Sequence, residues 1–406
     1  MSTMMMILLV CSIILITTLF LQNRSTGKKS NAPKSPPRFP LIGNLHQLGR
    51  HPHRSLCSLS HRYGPLMLLH FGRVPVLVVS SADAARDVLK THDRVFASRP
   101  WTKITEKLLY NGRDVASVPY GEYWRQMKSV CVVHLLSNKM VRSFRDVREE
   151  EISLMIENIR KSSSLPLNLS KLLSSLTNDV ICRVALGKKY GCETDFKELT
   201  ESVGTYVPWL AWIDWIRGLD SQLKKTGNDF DEFLEKVLDD HVDGDRDGTD
   251  FVDVLLTIQR DKSVGFQLDR LSIKAIISDV FVGATDTSYT LMEWVMTELL
   301  RHRECLNKLQ EEVRTICKGR SSVLEEDIQD MKYLKAVIKE TLRLHPPLPL
   351  MAPHESTHDV RLREYDIPAG TQDFELIPFG AGRRICPAIS FAVVLNEVVL
   401  ATLVHQ

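Results

Sequence analysis

The stretch Pro378–Ala388, PFGAGRRICPA, sets one cysteine behind two glycines and two arginines, with a proline directly after it. Such a thiol can be a buried structural cysteine, part of a phosphate loop or a metal ligand. Pro387 suits the first position of a helix, and Ala388–His405 is a long apolar helical run. That reading puts Cys386 at the helix N-cap, where unpaired N–H groups and the helix dipole favour a thiolate. The preceding glycines let backbone donors approach the sulfur. With no second cysteine or histidine nearby, the site suits zinc poorly and suits a single axial bond to a haem iron well. Phe379 is then expected to cover one side of the macrocycle, and Arg384 to meet a propionate carboxylate. The phosphate-loop reading fails, because GAGRRI has Ile385 where a dinucleotide fingerprint needs its third glycine.

Three further groupings carry chemistry. Ser272–His302 is a mostly apolar helical run interrupted by GATDTS, Gly283–Ser288. Polar residues in a long buried helix compete with its backbone bonds and need a reason. Asp286 and Thr287 side by side could relay protons to bound dioxygen; a bent helix with a satisfied threonine hydroxyl is an equal alternative. In KETLRLHPP, Glu340 and Arg343 are i, i+3 neighbours able to pair. In YWRQMKSV, Trp124 and Lys128 form an i, i+4 aromatic–cation pair.

The elements that must position these groups are mainly helical, with a small β component. Helical periodicity covers Ala82–Lys90, Glu122–Leu136, Val147–Lys161, Leu169–Leu186, Asp229–Val242, Cys305–Cys317 and Asp327–Leu344 besides the two runs above; strands are expected at Leu66–Phe71, Val74–Val79 and Val360–Arg363. The chain has 406 residues, 44% of them apolar, enough for a large core, and a formal net charge of +2 that gives no sign of nucleic-acid binding. Its eight cysteines lack any C-x-x-C pair, which suits a reducing compartment. DGDRDGTDFVDV, Asp243–Val254, begins like a calcium loop but has Val254 where a bidentate glutamate is required. Trp209, Trp212 and Trp215 share one helix face, for core packing or for membrane headgroups.

Met4–Leu21 is an uncharged apolar stretch of 18 residues. As a helix it rises about 27 Å, close to the hydrocarbon thickness of a bilayer. Arg24, Lys28, Lys29, Lys34 and Arg38 follow it, so the positive-inside rule leaves the large C-terminal part in the cytosol. The proline-rich segment after it reads as a stiff spacer. The expected organisation is a transmembrane signal-anchor at 1–22, a basic hinge at 23–40 and one haem-binding body at 41–406.

Taken together, these groupings resemble the cytochrome P-450 superfamily of haem-thiolate monooxygenases. Phe379, Gly382, Arg384 and Cys386 match F-x-x-G-x-R-x-C; Glu340 and Arg343 match the family's E-x-x-R pair; Asp286 and Thr287 match its oxygen-activation motif. Trp124 matches a propionate-binding tryptophan, with Lys128 where arginine is frequent. HPHRSLCSLSHRYGPLMLLHFG and DFELIPFGAGRRICP look most like plant microsomal enzymes. The resemblance implies the P-450 fold, haem b, O2, electrons from NADPH through a flavoprotein reductase, a small lipophilic substrate, and a single-pass anchor in the endoplasmic reticulum membrane.

The pattern also departs from the family. The chain passes from Thr371 almost directly into the cysteine loop, where the family carries several dozen residues including the P-E-R-F meander. The closing C-terminal hairpin is likewise expected to be missing. Ala388 and Ala284 stand where glycine is usual, and His354 where an arginine is common. The fold expected is therefore an incomplete P-450 fold, and a non-catalytic remnant stands beside the active monooxygenase as a reading of the chain.

Overall fold

The computed structural model describes residues 31–162, 166–190, 219–243, 249–262, 264–374 and 377–406. The described residues fall into two compact units, one within 31–100 and 353–374 and the other within 101–352 and 377–406. Among the described residues no helix is long and apolar enough to cross a membrane. The expected anchor at Met4–Leu21 and the Trp209–Trp215 face lie outside them.

The first unit carries the sheet. Helix α1 (Pro52–Tyr63) precedes the hairpin of β1 (Leu66–Phe71) and β2 (Val74–Val79), followed by α2 (Ala82–Arg86). β1 and β2 pair antiparallel with Leu66 opposite Val79, and Gly72 at φ 61° makes the two-residue turn possible. The later strands are β3 (His354–Glu355), β4 (Val360–Leu362), β5 (Tyr365–Ile367) and β6 (Gln372–Phe374). β6 runs parallel to β2 and antiparallel to β3, giving the order β1-β2-β6-β3, while β4 and β5 form a separate hairpin. The proline-rich segment does not run loose here. The Leu68 N–H donates to the Lys34 carbonyl at 3.3 Å, and Asn44 Nδ2 donates to the Pro36 and Pro37 carbonyls. A Cβ on Gly43 would lie 2.1 Å from the His70 carbonyl oxygen, so only glycine lets this strap meet β1.

The second unit is helical: α3 (Lys103–Lys107), α4 (Glu122–Val130), α5 (Asn138–Ser143), α6 (Arg145–Lys161), α7 (Leu169–Leu186), α8 (Leu219–Asp243), α9 (Phe251–Asp261), α10 (Arg270–Arg301), α11 (Arg303–Cys317), α12 (Lys332–Leu344) and α13 (Ile389–His405). Side-chain caps set several starts: Asn168 accepts from the Lys171 N–H, Asp250 from Asp253 and Asp269 from Ser272. Gly187 at φ 72° ends α7. The helix expected over Ser272–His302 is present as α10, continuous over all 32 residues and through the polar GATDTS stretch. It packs along α7 and against α12 and α13, and α13 also packs on α11. α13 is buried nearly all round, through Phe391, Leu395, Val398, Val399, Leu400, Ala401 and Val404. This is what fixes the segment that follows Cys386.

Gly227 sits inside α8, where glycine is a poor helix former. A Cβ there would meet the Lys107 carbonyl oxygen at 2.4 Å, so the helix needs this gap to approach the end of α3. Gly227→Ala is expected to lower the denaturant midpoint, by about 1–3 kcal/mol of overpacking. Alanine's helix propensity alone would raise it by roughly 1 kcal/mol; a raised midpoint would show that the contact yields without cost.

Candidate active site

The cysteine loop turns back on itself in left-handed steps. Phe379, Gly380 and Gly382 have φ 64°, 67° and 65°, and a short 3-10 turn spans Gly382–Arg384. The turn brings the Cys386 N–H to the Phe379 carbonyl at 2.9 Å. The positive φ is what calls for glycine at 380; a Cβ there would meet the Met351 methyl at 2.9 Å, the end of a flexible side chain that can turn aside. Phe379 itself is half-buried against the main core.

The sulfur does not sit where the proline signal placed it. α13 begins at Ile389 with Ala388 as N-cap, so Cys386 lies just ahead of the helix and is not its cap. Ala388, at φ −95°, has no need of the glycine that the family pattern suggests. The Ala388 N–H and the Lys128 charge both favour the thiolate. Burial outweighs them and pushes the Cys386 thiol above its ordinary value. The lowering expected from a helix terminus is therefore not what the fold produces.

Two cations lock the loop from outside. Arg384 donates from Nη1 to the Val115 carbonyl at 3.0 Å and from Nη2 to the Val118 carbonyl at 2.5 Å. Its guanidinium lies 4.5 Å from the centre of the Trp124 ring, and the Trp124 indole N–H donates to the same Val115 carbonyl at 3.2 Å. Lys128, one turn on along α4, donates to the Arg383 carbonyl and to the Ile385 carbonyl at 3.1 Å, and is 5.2 Å from the Trp124 ring. Trp124, Lys128, Arg384 and Cys386, separated by more than 250 residues of sequence, thus meet in one cluster. The Val115 and Val118 carbonyls that hold Arg384 escaped the sequence reading, since backbone acceptors carry no residue-type signature.

On α10, Asp286 is exposed and Thr287 half-buried. The Thr287 hydroxyl donates to the Gly283 carbonyl at 2.7 Å, the satisfied-threonine arrangement. A Cβ built on Gly283 meets nothing within 4 Å, and Ala284, Phe379 and Val394 pack half-buried against one core. Ile389, Ala392 and Val393 on the first turns of α13 are likewise only partly covered. A thiol with an N–H donor and a cation, an arginine beside it, and incompletely covered apolar side chains on two helices fit a large flat apolar group bearing carboxylates.

Glu340 and Arg343 do pair, bidentately at 2.6 and 2.8 Å, but they stand at the surface with side chains 55% and 66% exposed. Leu344 beside them is also exposed. His354, in the first unit, is buried and bonded through Nδ1 to the Phe96 carbonyl at 2.7 Å.

Lys128→Met removes one of the two influences that favour the Cys386 thiolate. The pH midpoint for alkylation of Cys386 in the haem-free chain is expected to move up. A midpoint unchanged or moved down would mean that Lys128 does not act on the sulfur. Glu340→Gln, on an exposed pair, is expected to leave the denaturant midpoint where it is.

The sequence profile of the cytochrome P450 family matches residues 33–374. Cytochrome P450 71A26 and cytochrome P450 71A22 of Arabidopsis thaliana are each 70% identical to this chain, over 99% and 100% of it and 92% of their own lengths. Cytochrome P450 736A117 of Prunus mume is 50% identical over 98% of this chain and 88% of its own. A zebrafish cytochrome P450 solved with progesterone superposes with a TM-score of 0.75 at 23% identity, covering 87% of this chain and 91% of that one. The helical body, the small sheet and the cysteine loop therefore belong together for a familiar reason: the chain is a member of the cytochrome P450 family.

Proposed function

We propose that this chain is a membrane-anchored haem-thiolate monooxygenase that hydroxylates a small lipophilic plant metabolite. It would use O2 and electrons delivered from NADPH by a flavoprotein reductase. The observation that carries the reading is Cys386 in a loop closed by its own N–H on the Phe379 carbonyl and pinned by Arg384 and Lys128. Cys386 would be the axial ligand of haem b. Trp124, Lys128 and Arg384 would meet its carboxylates, with Phe379 and Gly382 shaping the loop beneath it. Haem held there would supply dioxygen binding and reduction, with thiolate donation favouring O–O cleavage.

The chain's own contribution is proton delivery. The Thr287 hydroxyl, now donating to the Gly283 carbonyl, would turn to offer its proton at Oγ1, and exposed Asp286 would resupply it from solvent. The apolar stretch Met4–Leu21 and the basic residues after it support an anchor in the endoplasmic reticulum membrane with the body in the cytosol. The similarity to plant relatives supports a plant metabolite as substrate.

One observation keeps a second reading, the non-catalytic remnant. The match to 71A26 spans 450 aligned positions, more than the 406 residues of this chain, so that relative carries residues inside the matched region that are absent here. The abrupt passage from β6 at Phe374 to the cysteine loop and the exposed Glu340–Arg343 pair agree with a missing internal cover.

Thr287→Ala separates proton delivery from haem binding. Reconstituted with a reductase, the variant is expected to keep its haem and consume NADPH while product formation falls on the order of 10²-fold. Undiminished product formation would remove Thr287 from the proton path. A wild-type chain that acquires no haem in the same membranes would favour the remnant.

A further inference from the structure

Two carboxyl groups outside the matched motifs face each other beside the site. Asp114 is fully buried; its Oδ2 accepts the Ser117 N–H at 2.7 Å and its Oδ1 accepts the Ser117 hydroxyl. Asp279 lies on α10, about two turns before Asp286. Its Oδ2 accepts the Val115 N–H at 2.5 Å and the Ala116 N–H at 3.3 Å. Both carboxyl groups are thus held on neighbouring amides of one loop, close enough for each to act on the other's charge. Two carboxyl groups so close cannot both ionise without a large cost, which favours a proton on one of them.

The surroundings say which. Burial and then the negative charge of Asp114 push Asp279 well above the ordinary carboxylate range. Asp114 is also raised by burial, but the Ser117 donors work to keep it charged. The neighbouring titratable groups are Cys131, just past α4, whose thiol is pushed up by burial and then by Asp279, and Tyr123 on α4, whose hydroxyl donates to the Arg113 carbonyl. Arg113 itself pairs with Asp269, and the Lys128 charge reaches Cys131.

We propose that Asp114 and Asp279 share one proton as a positioning pair, clamping residues 114–118 to α10 so that the Val115 and Val118 carbonyls stay aimed at Arg384 and Trp124. The Val115 peptide is the bridge: its N–H goes to Asp279 and its carbonyl to Arg384 and the Trp124 indole. The pair stands independently of the haem-thiolate reading; only its consequence for the cysteine loop rests on that reading. The sign of the pH dependence follows. Folded Asp279 holds its proton at pH values where the unfolded chain has lost it, so stability falls as pH rises from the ordinary Asp value towards the raised one.

Infrared spectra and amide hydrogen exchange of the full chain test this without haem. At neutral pH the wild-type spectrum minus that of Asp279→Asn is expected to show a protonated-carboxyl C=O band. Asp279→Asn keeps both an acceptor for the loop amides and a donor to Asp114. Exchange at Val115 and Ala116 should therefore stay within about twofold of wild type, while Asp279→Ala speeds it on the order of tenfold or more. No such band at neutral pH, or a loop loosened by Asn as much as by Ala, would overturn the shared proton. A wild-type chain without haem would leave both readouts as they are, so the two readings fail separately.

Discussion

The bond from the Cys386 N–H to the Phe379 carbonyl is what the rest of the site depends on. Closing it takes three left-handed residues in a short span, and one of them, Phe379, is not glycine. A side-chain-bearing residue in that region costs about 1–2 kcal/mol, so the loop needs external ties to hold. Arg384 supplies two bonds to the carbonyls of residues 115 and 118, and Lys128 bonds carbonyls on both sides of Arg384. Helix α13, buried nearly all round from Leu395 onward, anchors the chain beyond the sulfur. Pinned on both sides, the thiol has a fixed position before any ligand arrives, which is the condition for a precise metal bond.

The same site contains an electrostatic conflict. Burial disfavours the thiolate, while the Ala388 N–H and Lys128 favour it, and burial prevails in the ligand-free chain. A metal cation held on the sulfur, as proposed, would reverse the balance and release the proton, which would couple its binding to pH. A comparable conflict sits on the other side of the 114–118 loop, where burial and the charge of Asp114 hold the Asp279 carboxyl well above its ordinary range. The loop thus stands between two strained groups. Its amides satisfy one and its carbonyls the other's neighbours.

Much of the scaffold was legible in residue order. The span of α7, Leu169–Leu186, was readable to the residue because Asn168 and Gly187 mark both ends with cap chemistry. β1 and β2 were equally plain, as apolar runs divided by Gly72 and Arg73. Position was misread where local preference yielded to a longer-range tie: Pro387 suits a first helical turn, yet the helix starts later, and the Ala388 N–H instead favours the Cys386 thiolate. The long helix through GATDTS was legible from its apolar periodicity, and the packing of α10 on α7, α12 and α13 carries it through the polar residues. The Val115 and Val118 acceptors and the Asp114–Asp279 pair were not legible, because backbone carbonyls leave no mark in residue type and two scattered aspartates match no spacing rule. For Glu340 and Arg343 the sequence showed the partners but not their exposure.

The central claim is that Cys386 of this chain holds a haem iron as thiolate. The reduced, carbon monoxide-treated difference spectrum of the chain expressed in membranes tests it most directly. The account predicts the red-shifted Soret band of thiolate-ligated haem, lost in Cys386→Ala. An unshifted band, or no haem at all, would contradict it.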